Sequence, residues 1–451
     1  MLFFSKDTVN VTIIIGPLSD LCMATQEFSC LIICPGGRLV AELSLPGDKS
    51  ITHRALILSA IHDQTVIING WLKSLDCQAT LMALEILGVK FKYLAADELL
   101  VQGVGLYGLQ APQKIIDAGN SGTTMRLLSG ILAAQAFDSI IVGDASLSKR
   151  PMQRVIEPLQ LMGAKINAVN DNYAPLNIIG KQKLKSINYT LPVASAQVKS
   201  AILLADLYAQ QTTKITELQS TRNHTELMLA YFKANKYKQL TLQIPGDSSS
   251  AAFFIVGASI AHTADLLLEN IGINPTRTAF IEILRRMGAN IKLDNIKLQH
   301  NELSADIRVK ASKLRAINIP VELVPNAIDE FPALAIAAAC ASGTTVIRGA
   351  RELRYKESDR IQALAAGLSN LGIKTEVFAD GLAITGGKIL GGVVDSFGDH
   401  RIAMAFAMAG LVAQDQIVVQ NTCNIATSFP DFVSIARQAG LQIVSEESCY
   451  V

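Results

Sequence analysis

The segment LPGDKSITHRALILSAI, beginning at Leu45, returns in altered form as IPGDSSSAAFFIVGASI, beginning at Ile244. A polar turn, a cluster of hydroxyls and an apolar helix-forming run are written twice, and the scheme extends along the chain. Six blocks follow it: PGDKSITHRALILSAI, DAGNSGTTMRLLSGILAAQ, PVASAQVKSAILLADLYAQ, PGDSSSAAFFIVGASIA, PNAIDEFPALAIAAACAS and SFGDHRIAMAFAMAGLVAQ. Each leads into a β-branched run, a second polar loop, and a second helix that closes near a glycine before another strand, as in TVIING…LEILGVKF and TVIRGARELRYKESDR…LSNLGIKT. An internal repeat constrains the fold before any single residue is weighed. Helix, strand, helix, strand, six times over, predicts an α/β protein.

In blocks one, two, four and five, roughly 20 to 35 residues lie between the closing strand and the next loop, which leaves room for a strand hairpin. The unit then reads βαβαββ. The sixth block ends near the C-terminus, and GRLVAELSLP is expected to supply its missing strand. The two Pro-Gly-Asp turns become the points where the chain crosses between domains, near Pro46 and Pro245. Units one to three form a domain over residues 48–244; residues 37–47 with 245–451 form the other, a division that suits 451 residues. Residues 1–36 read as a disordered or loosely docked extension, or as an over-long start with Met23 the initiator. MLFFSKDTVNVTIIIGPLSDLC has an apolar core but neither the basic flank nor the Arg-rich pattern of a targeting peptide.

Half of the residues are apolar and 18% are charged, a globular enzyme-like composition. A net charge of +1 argues against a nucleic-acid or acidic-membrane partner. Apolar runs such as Phe331 to Ala341 fall short of the ~18 residues of a membrane span. Seven cysteines show no CxxC pair and no framework spacing, so reduced thiols, no disulfides and a cytoplasmic location are expected. Six dispersed histidines, with no HExxH, give no metal site. GVGLYG, from Gly103 to Gly108, satisfies GxGxxG, but LQAPQKIID follows where a dinucleotide site needs a helix, and a hairpin turn is expected instead. PGDKS lacks the residues that precede Gly-Lys-Ser in a Walker A loop.

The polar loops all precede helices. If the helix N-termini converge between the domains, unpaired N–H groups and positive dipole ends line a cleft that attracts anions. The same loops or first turns carry Lys49, Arg54, Arg126, Arg150, Lys199, Arg222, Arg277, Lys356, Arg360 and Arg401. Guanidinium forks match phosphate and carboxylate oxygens in pairs. Arg277 and Lys199 are the two best read as cations that merely solvate exposed turns. Asp329, Glu357, Asp399 and Asp431 share these loops, as acid/base groups or as counter-ions.

From about Gly37 onward the chain resembles the EPSP synthase (5-enolpyruvylshikimate-3-phosphate synthase) family. The resemblance rests on PGDKSITHRA, GNSGTTMRLL, KRPM, SAQVKS, RNHTE, GDSSSAAFF, NPTR, IDEFPALA, ELRYKESDRI, GDHRIAMAFA and TSFPDF, in that order, with SAQVK, RNHT, GDSS and NPTR similar to its class II branch. It implies the enolpyruvyl transferase fold, a two-domain inside-out α/β barrel with three βαβαββ units per domain. It implies an enzyme that acts on phosphoenolpyruvate and shikimate 3-phosphate in the shikimate pathway, without metal or organic cofactor, and a monomer is expected. By resemblance, Lys49, Asp329 and Glu357 are catalytic; Lys49, Ser50, Arg54, Ser195, Gln197, Arg222, Asp329 and Lys356 hold shikimate 3-phosphate. Lys49, Gly122, Arg150, Gln197, Arg360 and Arg401 match positions around phosphoenolpyruvate.

Three departures qualify the resemblance. Lys238 to Ile244 is too short for the strand pair that closes the third unit in the family, and ATSFPDF offers Thr427 where class I members place a lysine. Gly122 lacks the methyl group that crowds glyphosate in tolerant relatives, against otherwise class II motifs, so intermediate sensitivity is expected. Two alternatives compete. A UDP-sugar enolpyruvyl transferase would carry a reactive Cys in the loop that here reads GDASLSKRPM, and a non-catalytic anion-binding relative would have lost one of Lys49, Asp329 and Glu357.

Overall fold

The computed structural model describes residues 30–446. All six apolar stretches that follow a polar loop are helices: α1 (Lys49–Ala60), α3 (Gly122–Leu132), α5 (Ala196–Asp206), α7 (Ser248–Ile260), α9 (Phe331–Ala339) and α11 (His400–Ala409). Between them lie α2 (Leu75–Ile86), α4 (Gln153–Leu161), α6 (His224–Ala234), α8 (Ala279–Arg286), α10 (Arg360–Asn370) and α12 (Phe432–Ala439). The loop residues explain where several begin. Asp48, Ser121, Ser195, Asp247, Asp359 and Asp399 are N-caps whose side chains accept a backbone N–H from the first turn, which satisfies donors the helix cannot.

The strands form six small sheets among the described residues, so the protein is mixed α/β. In the four blocks with room for a hairpin, the closing strand itself forms its first arm: Lys90–Tyr93 with Glu98–Gln102, Lys165–Val169 with Tyr173–Ile179, Asn290–Gln299 with Glu302–Lys310, and Lys374–Phe378 with Gly381–Thr385. After Gln102 the chain makes no hairpin at GVGLYG; it runs as a loop to Ile116–Asp117 in another sheet.

The N-terminal strand differs from expectation. Leu39–Ser44 does not complete the sheet of the last block but pairs in parallel with Ala264–Gly272. Cys30–Gly37, expected to lie in an extension without fixed structure, fills that place between Ile417–Gln420 and Leu441–Glu446. Gly36 and Gly37, at φ +87° and +128°, turn the chain from one sheet to the other, a conformation open to glycine. Cys30 is disulfide-bonded, which corrects the expectation that no disulfide forms. The spacing of the seven cysteines does not register this bond. The remaining expectations for the N-terminal extension lie outside the described residues.

Buried apolar side chains fall into two clusters, one from Ile51 to Ile244, the other from Leu31 to Leu45 and Ala251 to Ile443. The Pro-Gly-Asp turns lie side by side between them. Asp48 N–H donates to Pro245 O at 2.8 Å, Asp247 N–H donates to Pro46 O at 3.0 Å, and Gly47 bridges Gly246. A Cβ on Gly47 would stand 1.9 Å from Gly70 O, so only glycine permits this approach. The two copies of the repeated turn are therefore paired with each other, backbone to backbone.

Candidate functional site

The crossing turns aim the starts of α1, α3, α5, α10 and α11 at one cleft of about 240 Å³. Of the thirteen residues expected at the site, all but Arg54 line it. Nine Lys or Arg side chains and five carboxylates face the cleft, an excess of positive charge suited to small polyanions.

Asp329, which precedes α9, is the electrostatic centre. Its carboxylate pairs with Arg222, with Lys356 Nζ at 3.0 Å and with Arg360 at 3.4 Å, while Arg401 donates to its backbone carbonyl at 2.9 Å. Burial raises a carboxyl pKa, but Lys356, Arg222, Arg401 and Arg360 outweigh it and hold Asp329 well below the usual range. Glu357 is governed by the same balance. Burial works against Arg360, 2.7 Å away, and Arg150, 3.4 Å away, and the cations win. Arg360, only 1% exposed, lies between the two carboxylates and is anchored from behind by Asp399 at 2.8 Å. Of the other loop carboxylates, Asp399 is thus a buried support, and Asp431 is exposed at the start of α12, away from the cleft.

On the opposite wall, Lys49 Nζ contacts Asp76 at 3.0 Å, in the first turn of α2. Ser50 and Ser195 open α1 and α5 onto the cleft. Gln197 accepts from Arg126 at 2.6 Å and donates to Thr123 at 2.9 Å. Arg150 donates to Asn120 at 3.0 Å. Arg54 is buried beneath this wall, its guanidinium donating to Thr225 Oγ1, Ser50 O and Ser200 Oγ at 2.6 to 2.8 Å. It supports the backbone of Ser50 rather than facing the cleft.

Arg277 and Lys199, read from sequence as surface cations, are both 3% exposed. Lys199 bridges Glu217 at 2.8 Å and Glu226 at 2.7 Å, while Arg277 bridges Asp48 and Asp247. Sequence shows that a cation sits in a polar loop but not which carboxylate folds over it. His400, for which the sequence alone suggests no role, is buried at the cleft with Nε2 unpartnered among the described residues and a pKa well below the ordinary value, from burial and then from Lys49 and Arg401. It is neutral at pH 7. Its position after Asp399 at a helix start was the available signal. Arg126, named only as a loop cation, lines the cleft and, among the described residues, bonds to Gln197 and Pro151 O rather than to a carboxylate.

The fold and the cleft define a mixed α/β protein whose cleft sets two ionised carboxylates and a lysine among an excess of cations, an arrangement that suits small polyanions. Known proteins make the class specific. The family model described as EPSP synthase (3-phosphoshikimate 1-carboxyvinyltransferase) matches residues 33–435. A 3-phosphoshikimate 1-carboxyvinyltransferase from Acidithiobacillus ferrooxidans is 53% identical over 424 residues, covering 91% of this chain and 98% of the relative. One from Methylococcus capsulatus is 50% identical over 423 residues, covering 91% and 97%. The solved EPSP synthase of Acinetobacter baumannii superposes with a TM-score of 0.84 at 47% identity, covering 93% of this chain and 100% of that one. The chain belongs to the EPSP synthase family and is a transferase.

Proposed function

We propose that the cleft transfers the enolpyruvyl group of phosphoenolpyruvate to the 5-hydroxyl of shikimate 3-phosphate and releases phosphate. Asp329 takes the proton of the attacking hydroxyl as its oxygen adds to the central carbon of phosphoenolpyruvate. Glu357 delivers a proton to the methylene carbon, giving a tetrahedral ketal phosphate, and Lys49 assists proton transfer from the opposite wall. Loss of a proton from the new methyl group then expels phosphate and restores the double bond. Ser50, Ser195, Gln197, Arg222 and Lys356 hold shikimate 3-phosphate, and Gly122, Arg150, Gln197, Arg360 and Arg401 surround phosphoenolpyruvate. Arg54 serves the first set through the backbone of Ser50.

The observation that carries this reading is Arg360 between Asp329 and Glu357, donating to both. Arg360 and Arg150 keep Glu357 ionised. A bound phosphate or carboxylate competes for those guanidinium groups, so the Glu357 pKa rises as phosphoenolpyruvate arrives and the group becomes able to carry a proton. Glu357→Gln should therefore lower kcat by on the order of 10²-fold or more, while calorimetric binding of shikimate 3-phosphate stays within about threefold, as for loss of a group acting in the transition state. Unchanged kcat would remove Glu357 from the mechanism.

The two apolar clusters and the paired turns support two domains near the expected division of 48–244 against 37–47 with 245–451, with the N-terminal piece extended back to Cys30, because Cys30–Gly37 completes a sheet of the second cluster. They also support reading the fold as an inside-out barrel of six βαβαββ-type units, the third shortened. The proposal includes a monomer in the cytoplasm acting on two small anions, with no nucleic-acid or membrane partner, in keeping with a net charge of +1.

A further inference from the structure

The two crossing turns each end in an aspartate, and both aspartates are buried. Asp48 caps α1 by accepting the Ile51 N–H at 2.9 Å, and Asp247 caps α7 by accepting the Ser249 N–H at 2.8 Å. Two buried carboxylates at adjoining turns repel one another in a poorly screening interior. One side chain bridges the two, although burial and the Asp48 charge still hold the Asp247 pKa above its ordinary value. Arg277, from the NPTR loop ahead of α8, places one terminal nitrogen 2.5 Å from Asp48 Oδ2 and the other 3.1 Å from Asp247 Oδ1. The second nitrogen also donates to Ser249 Oγ, which in turn donates to Glu330. The aspartate it reaches on the first turn is 229 positions away in sequence.

The chain neighbours of these groups are the reacting residues. Asp48 immediately precedes Lys49 and Ser50; Glu330 immediately follows Asp329 and lies 3.7 Å from Arg401. A continuous buried path therefore runs from Lys49 through Asp48, Arg277, Ser249 and Glu330 to Asp329. We propose that Arg277 is a positioning residue that sets the spacing between the Lys49 wall and the Asp329 wall of the cleft, acting through Asp48 on one side and Ser249 on the other. A planar guanidinium suits this task because its two terminal nitrogens hold two carboxylates at fixed separation, which a lysine ammonium cannot do. The proposal rests on the transferase reading above.

The test uses the full-length chain and three variants: Arg277→Lys, Arg277→Met, and Arg277→Met combined with Asp247→Asn. For each, kcat and both KM values are measured by phosphate release, shikimate 3-phosphate binding by calorimetry, and folding by circular dichroism. A misplacement of about 1 Å between reacting groups costs on the order of 10²-fold in rate. Arg277→Met should lose about that factor in kcat, and because Ser50 and Lys356 stand on the two walls, shikimate 3-phosphate binding should weaken as well but by a smaller factor, on the order of tenfold or less. Arg277→Lys should fall between wild type and Arg277→Met. The double variant, with one of the facing charges removed, should regain at least about tenfold, since the loss arises from uncompensated repulsion. Should Arg277→Met fail to fold, Arg277→Lys and the double variant decide the matter by the same comparison. Wild-type kcat in Arg277→Lys, or a double variant that folds but recovers nothing, overturns the proposal. An inactive wild-type chain would instead overturn the transferase reading itself.

Discussion

Gly122 shows how one missing methyl group reaches across the site. A Cβ added there would stand 2.7 Å from Arg126 Nη1, and that nitrogen lies 2.6 Å from Gln197 Oε1. Gly122→Ala must displace Arg126 and slacken its hold on Gln197. Because that atom is the far end of a flexible side chain it gives way at small cost, so the KM for phosphoenolpyruvate should rise by less than about tenfold with folding unchanged; initial-rate kinetics at saturating shikimate 3-phosphate measure it. Asp329 gives a second prediction at this scale. Its folded pKa lies below the unfolded value because Lys356, Arg222, Arg401 and Arg360 outweigh burial. The stabilisation is therefore fully present above about pH 4 and is lost as pH falls through the folded pKa. Asp329→Asn should lower the urea midpoint at pH 7, and the gap to wild type should close as unfolding is repeated toward pH 3. The types of residue needed for this chemistry were legible in the loops, because phosphates and carboxylates require cations. Depth was not legible. Arg277 and Lys199 read as surface groups because their partners are distant in sequence or fold over them only in three dimensions.

At the scale of elements, the third block departs most from the rest. Leu240–Gln243 leaves its own unit to pair in parallel with Thr65–Asn69, and Asn188–Leu191 with Lys214–Glu217 remains a two-stranded sheet. The short Lys238–Ile244 stretch announced this. The missing strands put more of the load on side chains. Lys199 clamps Glu217, at the end of a strand, to Glu226, in the first turn of α6, and so closes the base of the loop that carries Arg222. Lys199→Met should raise the KM for shikimate 3-phosphate about tenfold or more, as expected for a loosened charged hydrogen bond, with a smaller change in the KM for phosphoenolpyruvate. Steady-state kinetics with each substrate varied in turn check this. Helices and hairpins were legible because apolar runs, caps and loop lengths are local properties. The placement of Cys30–Gly37 was not, since joining a sheet at the far end of the chain depends on register that periodicity does not encode.

For the whole molecule, the repeated Pro-Gly-Asp turn carried more information than composition did. It marked the two places where the chain passes between apolar clusters, and there the backbone is paired reciprocally. That crossing brings residues as far apart in sequence as Lys49 and Arg401 to one cleft. The central claim is that this convergence performs enolpyruvyl transfer. Its most direct test is phosphate release by the purified full chain with shikimate 3-phosphate and phosphoenolpyruvate, each alone and both together, alongside Asp329→Ala. The account predicts turnover only with both substrates, falling by on the order of 10²-fold or more in Asp329→Ala. Phosphate release that needs only one substrate, or that survives unchanged in Asp329→Ala, would contradict it.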